Sequence, residues 1–124
     1  MSHKHHTTTW AVLFSTSLFT AVTHAESHAE AALRHADEAA RSTGDSASIR
    51  EHATEALKHI DSAKAANATN PDTIKHLEHS EADLNAAVNH ARRYNSSSAG
   101  KDADDARQHL EQIEGKEGEK AIGQ

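Results

Sequence analysis

The stretch SIREHATEALKHIDSAKAA, residues 48–66, decides the fold. Its apolar residues recur at intervals of three and four, the spacing of one face of an amphipathic helix; they are Ile49, Ala53, Ala56, Ile60 and Ala63. Ser48 with Glu51 three residues later is typical of a capping box at a helix start. The stretch therefore predicts a helix over residues 48–66.

The same apolar spacing recurs on both sides of this stretch and predicts three more helices, over residues 27–41, 71–94 and 102–114. Asn70 is a suitable cap for the third helix, with Pro71 at its first position. A run of serines and glycine over residues 95–100 predicts a flexible loop before the fourth helix. Gly115 and Gly118 are expected to release a charged tail after it.

Alanine dominates the apolar residues of these segments, and large hydrophobic side chains are few. That scarcity makes disorder an alternative, but alanine is the strongest helix former and favours helices around a thin core. Strand-like alternation is missing from the pattern, and the connections are short. The sequence therefore predicts an all-α protein, an up-down-up-down four-helix bundle.

The first 25 residues form a segment of a different kind. Lys4 precedes an apolar run from Trp10 to Val22, and Thr23 and Ala25 are small residues around His24. This pattern predicts a signal peptide over residues 1–25 that is cleaved after Ala25, leaving the bundle domain over residues 26–124. A retained anchor or a buried helix is the alternative, but the run is too short to span a bilayer. We expect an exported chain with no stable membrane insertion after processing.

Composition excludes several classes of function. Lys and Arg number 13 against 19 Asp and Glu, giving a net charge of -6 that disfavours a nucleic-acid partner. The chain has no cysteine, which excludes thiolate zinc sites, iron–sulfur clusters and thiol nucleophiles. The predicted mature chain also lacks a carboxylate three residues before any histidine, as a di-iron bundle requires. We therefore expect that the protein is not an enzyme and that it is a monomer.

Histidine is the unusual residue, with 12 in the chain. Residues seven apart lie two helical turns apart on nearly the same face, so many of the histidines align with one another and with carboxylates. The resulting candidate metal ligands are His28, His35 and Glu38 on the first helix; His52, Glu55 and His59 on the second; His76, His79 and Asp83 on the third; and Asp105 and His109, with Asp102, on the fourth. His90 has no acidic partner three or four residues away and is interpreted as a bystander.

Imidazole and carboxylate one helical turn apart can chelate one ion. Nitrogen and oxygen donors suit divalent copper, nickel and zinc, and copper binds most tightly to any given set. The pattern therefore indicates Cu(II) first, with Ni(II) and Zn(II) as further candidates. Two alternatives stay open: the histidines are ordinary polar residues of helix surfaces, or they sense acidification in an acidic interaction or chaperone-like module.

Residues 52–59 resemble the His-x-x-Glu-Ala-x-x-His repeat of the bacterial periplasmic small metal-binding protein family. Residues 35–39 and 74–78, the leader and the length are also similar to that family. The resemblance implies a His-rich four-helix bundle that buffers copper and other divalent ions in the periplasm, by sequestration or storage. Three residues stand where the repeat has glutamate: Ala31, His79 and Gln112.

Overall fold

The structure, a computed structural model, describes residues 26–122, with side chains up to Lys116. The predicted signal peptide, residues 1–25, lies outside the described residues. The described chain forms four helices and no strand: α1 (His28–Arg41), α2 (Ser46–Ala66), α3 (Pro71–Arg92) and α4 (Ser96–Ile122). The prediction of an all-α four-helix bundle is confirmed.

Each helix packs closely against two neighbours, in the pairs α1–α2, α2–α3, α3–α4 and α4–α1. The connections contain only three or four residues, so consecutive helices run antiparallel. Within the described residues, no helix combines the length and the apolar character needed to cross a membrane.

The core is thin because alanine supplies much of it. The buried residues of α1 are all alanines, namely Ala29, Ala31, Ala32, Ala36 and Ala39. The largest fully buried apolar side chains come from the other three helices and are Ile49, Ile60, Leu77, Leu84, Leu110 and Ile113. Small residues let helix backbones approach closely. Side chains on the flank of α1 can therefore reach side chains of α2 directly.

The first two helices each begin at a side-chain cap. Ser27 caps α1, and its hydroxyl and backbone N–H exchange hydrogen bonds with Glu30 in a capping box. Helix α2 begins at Ser46, two residues before the predicted start, because the Asp45 carboxylate accepts from the N–H groups of Ala47 and Ser48. The predicted capping box at Ser48 is therefore wrong.

The bounds of α3 and α4 also differ from the prediction. Helix α3 ends at Arg92 instead of residue 94, and Tyr94 lies in the left-handed region with φ 58°. Helix α4 begins at Ser96, because the Asn95 side chain accepts from the Ser98 N–H; the predicted loop over residues 95–100 is wrong. The helix also continues past Gly115, since an interior glycine costs a helix only about 1 kcal/mol.

Candidate metal centre

Four imidazoles lie in a row along the interface between α1 and α2. The Nδ1 atoms of His28 and His59 are 3.4 Å apart. The ring of His35 stacks on that of His59, with centroids 5.5 Å apart, and its other neighbour is the ring of His52 at 6.0 Å. His28 thus faces His59, and His35 approaches His52. Because α1 and α2 run antiparallel, moving seven residues toward the C-terminus of α1 corresponds to moving seven residues toward the N-terminus of α2.

Three side chains of this interface converge on one point. The Glu38 Oε2 atom lies 3.0 Å from His35 Nδ1 and 3.1 Å from His52 Nδ1. Each of the three residues offers a ligand atom within 4.8 Å of those of the other two. Donors bound at about 2.0–2.2 Å from one ion lie about 2.8–3.6 Å apart when the angle between them is 90° to tetrahedral. We name His35, Glu38 and His52 the cross-helix centre, and within the described residues no other group converges in this way.

The burial of the cross-helix centre favours a bound cation. The His35 side chain is 16% exposed and that of His52 is 31% exposed, so an ion there keeps a route to water. The buried Nδ1 of His35 has no aligned hydrogen-bond partner among the described residues, although Glu38 Oε2 lies close. A buried polar atom without a hydrogen bond is costly. A cation between the three donor atoms would remove that cost.

The candidate ligands Glu55 and His59 lie beside this centre on α2. The Glu55 carboxylate accepts a 2.6 Å hydrogen bond from Lys58 Nζ, which lowers the pKa of Glu55. Burial lowers the pKa of His59, and the neighbouring His35 and His28 lower it further. His59 is therefore neutral and available for a metal at neutral pH. Glu55 remains a predicted ligand, and in the structure its carboxylate is paired with Lys58.

A second group, the α3–α4 cluster, comprises His76, His79, Asp83 and His109. The ring of His109 lies 5.0 Å from that of His79 and 6.0 Å from that of His76, between centroids. Its Nε2 atom is 3.8 Å from Asp83 Oδ2. Burial lowers the pKa of His76 and raises the pKa of Asp83, with Asp105 and Asp102 adding to the second effect and His109 opposing it.

Sequence spacing missed one cross-helix pair. His90 Nδ1 lies 2.6 Å from Asp102 Oδ2, so His90 has an acidic partner on another helix although it has none three or four residues away on its own. Its partner lies on α4, beyond the reach of same-helix spacing. A heptad signal could have found the pair, since His90 follows Asp83 by seven residues and Asp102 precedes His109 by seven. The remaining candidate, Asp105, forms an ion pair with Lys101 at 2.7 Å.

Comparison with known proteins identifies a family for this chain. Residues 3–113 match the model of a family described as small metal-binding protein. The chain belongs to the small metal-binding protein family. Searches of curated proteins and of solved structures gave no match.

Membership confirms the resemblance that the histidine repeats indicated. The family description and the cross-helix centre point to the same type of function, since a His/Glu group that could hold a metal lies between two helices of a small metal-binding protein.

Proposed function

We propose that the protein binds divalent metal ions, Cu(II) first, and serves to sequester or store them. The cross-helix centre is the observation that carries this proposal, because one carboxylate oxygen already lies at the distance of a fellow ligand from each of two imidazoles, and the ligand atoms of all three residues lie within 4.8 Å of one another. Nitrogen and oxygen donors suit Cu(II), Ni(II) and Zn(II), and the affinity order favours copper. Metal ions are the only partners we propose for this function, with the protein as a monomer.

The setting we propose is the bacterial periplasm. Support comes from the sequence of residues 1–25, which has the pattern of a cleaved secretory signal. We propose no catalytic role, because the family is described by metal binding and the half-buried donors suit storage of an ion.

Calorimetric titration of the purified protein with Cu(II) at neutral pH tests the proposal. We expect saturable binding of more than one equivalent, since the described residues hold His-rich groups at two helix interfaces. A titration without saturable binding would overturn the proposal and leave the acid-sensing interaction module as the better explanation of the histidines.

Two glutamates of similar setting provide a matched pair of variants. Glu38→Gln is expected to weaken Cu(II) binding at the cross-helix centre at least about tenfold, because it removes the shared anionic donor. Glu55→Gln is expected to change Cu(II) binding at this centre by less than about threefold, because the Glu55 carboxylate is already hydrogen-bonded to Lys58. Both side chains are about 40% exposed, at 38% and 41%, so folding should be equally unaffected. Equal losses in a calorimetric comparison would assign both glutamates the same role.

Metal retention should depend on pH through the imidazoles. A histidine must be deprotonated to bind, and burial holds the pKa of His59 and His76 below 6.5. These donors therefore stay available at neutral pH, and protons displace the metal only as the pH falls below the ordinary histidine range. Affinity should then fall roughly tenfold per pH unit for each imidazole that is protonated. Equilibrium dialysis with Cu(II) at about pH 7.5 and about pH 4.5 measures the loss; full retention at the lower pH would indicate carboxylate sites instead.

A further inference from the structure

A small hollow at one end of the bundle carries positive charge. It has a volume of about 160 Å³ and lies between the start of α2 and the end of α3, where Arg50 and Arg92 line it. A larger hollow of about 370 Å³ between α1 and α4 also contains arginines, but each of them is paired with a carboxylate; they are Arg34, Arg41 and Arg107. We name the smaller one the arginine hollow.

The guanidinium groups of the arginine hollow lack such partners. Within the described residues, neither Arg50 nor Arg92 forms an ion pair or a side-chain hydrogen bond, and no acidic residue lines the hollow. Glu51 follows Arg50 directly, but adjacent residues of a helix do not face each other. The Asp45 carboxylate accepts hydrogen bonds from two N–H groups in the first turn of α2. Both positive charges are therefore available to an anion.

Tyr94, which also lines the arginine hollow, has a backbone conformation that is uncommon for a bulky residue. Its φ is 58°, in the left-handed region, and the residue is 89% exposed. The turn over residues 42–45 at the same end of the bundle has a glycine in this region, Gly44 with φ 85°. Glycine adopts the left-handed region without steric cost, whereas a tyrosine there is strained. Backbone strain of this kind clusters at binding and catalytic sites.

The size and charge of the arginine hollow fit a phosphate group. Its volume equals the share of about five water molecules in the liquid, which is enough for a phosphate. The two arginines supply two positive charges, and a phosphate monoester carries nearly two negative charges at neutral pH. Guanidinium groups bind phosphate through paired N–H···O bonds, and the Ser46 hydroxyl lines the same hollow as a further donor. A carboxylate would bring one charge and fewer oxygens to these donors.

We propose that the arginine hollow binds a phosphate monoester group, carried either by a soluble phosphate compound or by a lipid headgroup. Arg50 and Arg92 hold its oxygens from two helices, Ser46 donates to it, and the ring of Tyr94 borders it. The hollow shares no residue with the cross-helix centre or with the α3–α4 cluster. Its function is therefore separate from metal binding and is testable in the metal-free protein.

Inorganic phosphate is the probe, titrated into metal-free ¹⁵N-labelled protein at about pH 7.5, where histidines are mostly neutral. Sodium chloride of equal ionic strength is the blank. We expect saturable shifts of the amide signals of the residues that line the arginine hollow. Arg50→Gln and Arg92→Gln should each weaken phosphate binding at least about tenfold, because each removes hydrogen bonds to a charged group. Tyr94→Gly should weaken it about threefold without lowering Tm, since glycine relieves the strain.

Arg41→Gln is the matched control, since this arginine lies at the same end of the bundle and is paired with Asp37. We expect its phosphate affinity to stay within about twofold of the wild type. Equal losses in Arg41→Gln and Arg50→Gln would overturn the proposal, because they would show that phosphate responds only to overall charge.

Vesicles distinguish the two sources of the phosphate group. Phosphatidylcholine vesicles with and without phosphatidic acid, whose headgroup is a phosphate monoester, are sedimented with the protein. Cosedimentation that needs phosphatidic acid and is lost in Arg50→Gln supports the site and assigns it to a lipid headgroup. Saturable binding of inorganic phosphate without cosedimentation supports the site and assigns it to a soluble compound. Absence of both kinds of binding would overturn the proposal and leave the metal function untouched.

Discussion

Replacing His52 with alanine is expected to lower the Cu(II) affinity of the cross-helix centre at least about a hundredfold. His52 is the only donor that α2 supplies to this centre, 3.1 Å from the carboxylate oxygen that His35 also approaches. Loss of a residue that merely orients a metal ligand already costs 10–100-fold, so loss of a ligand should cost about a hundredfold or more. Competition with a chelator of known copper affinity measures the change.

His90→Ala is the control for this variant. It makes the same substitution at another histidine paired with a carboxylate across two helices, with Asp102 at 2.6 Å, but at the α3–α4 interface. We expect the copper affinity of the cross-helix centre to be unchanged in it. An equal loss in both variants would mean that the measured copper is bound elsewhere or that histidines act only through overall charge.

Copper binding is also expected to stabilise the bundle strongly, because one ion would be held by α1 and α2 together. A ligand at 100 times its dissociation constant stabilises the folded state by about 2.7 kcal/mol when the unfolded chain does not bind it. For a domain of this size that corresponds to an increase in Tm of roughly 10–20 °C. Thermal unfolding followed by circular dichroism at 222 nm, with and without Cu(II), measures the shift.

The stabilisation has its own internal test. EDTA should return Tm to the metal-free value, and His52→Ala should lose the part of the shift that comes from the cross-helix centre. A Tm shift of the same size in His52→Ala and in the wild type would show that an ion held between α1 and α2 contributes nothing to the stabilisation. Far-UV spectra of the metal-free proteins should be equal, since His52 is half-buried outside the core.

Helix content was predictable because periodicity depends only on neighbouring residues. Most of the alanines, isoleucines and leucines that mark the apolar faces are buried in the bundle, and Leu33, Ala40 and Ile74 are partly buried against its core. Helix starts were less predictable, because several capping residues compete within a few positions. Asp45 and Ser48 are both good caps, and the chain uses Asp45. Asn95 likewise converts a serine-rich segment that resembles a loop into the first turn of α4.

The candidate ligands were predictable as residue types, but their grouping was not. Spacing along one helix places His52, Glu55 and His59 on one ridge, whereas the structure brings His52 to Glu38 of the preceding helix. That contact depends on the register of two antiparallel helices, which the turn at residues 42–45 sets. The same reason explains why the contact of His90 with Asp102 escaped the analysis of single helices.

The central claim is that a divalent ion binds between His35, Glu38 and His52, and paramagnetic NMR tests it most directly. Cu(II) broadens the amide signals of residues near it, so a titration of ¹⁵N-labelled protein locates the ion residue by residue. We predict that signals around His35 and Glu38 on α1 and around His52 on α2 lose intensity together with the first equivalents and return with EDTA. Signals of these three residues that keep their intensity until copper binding is saturated would contradict the claim.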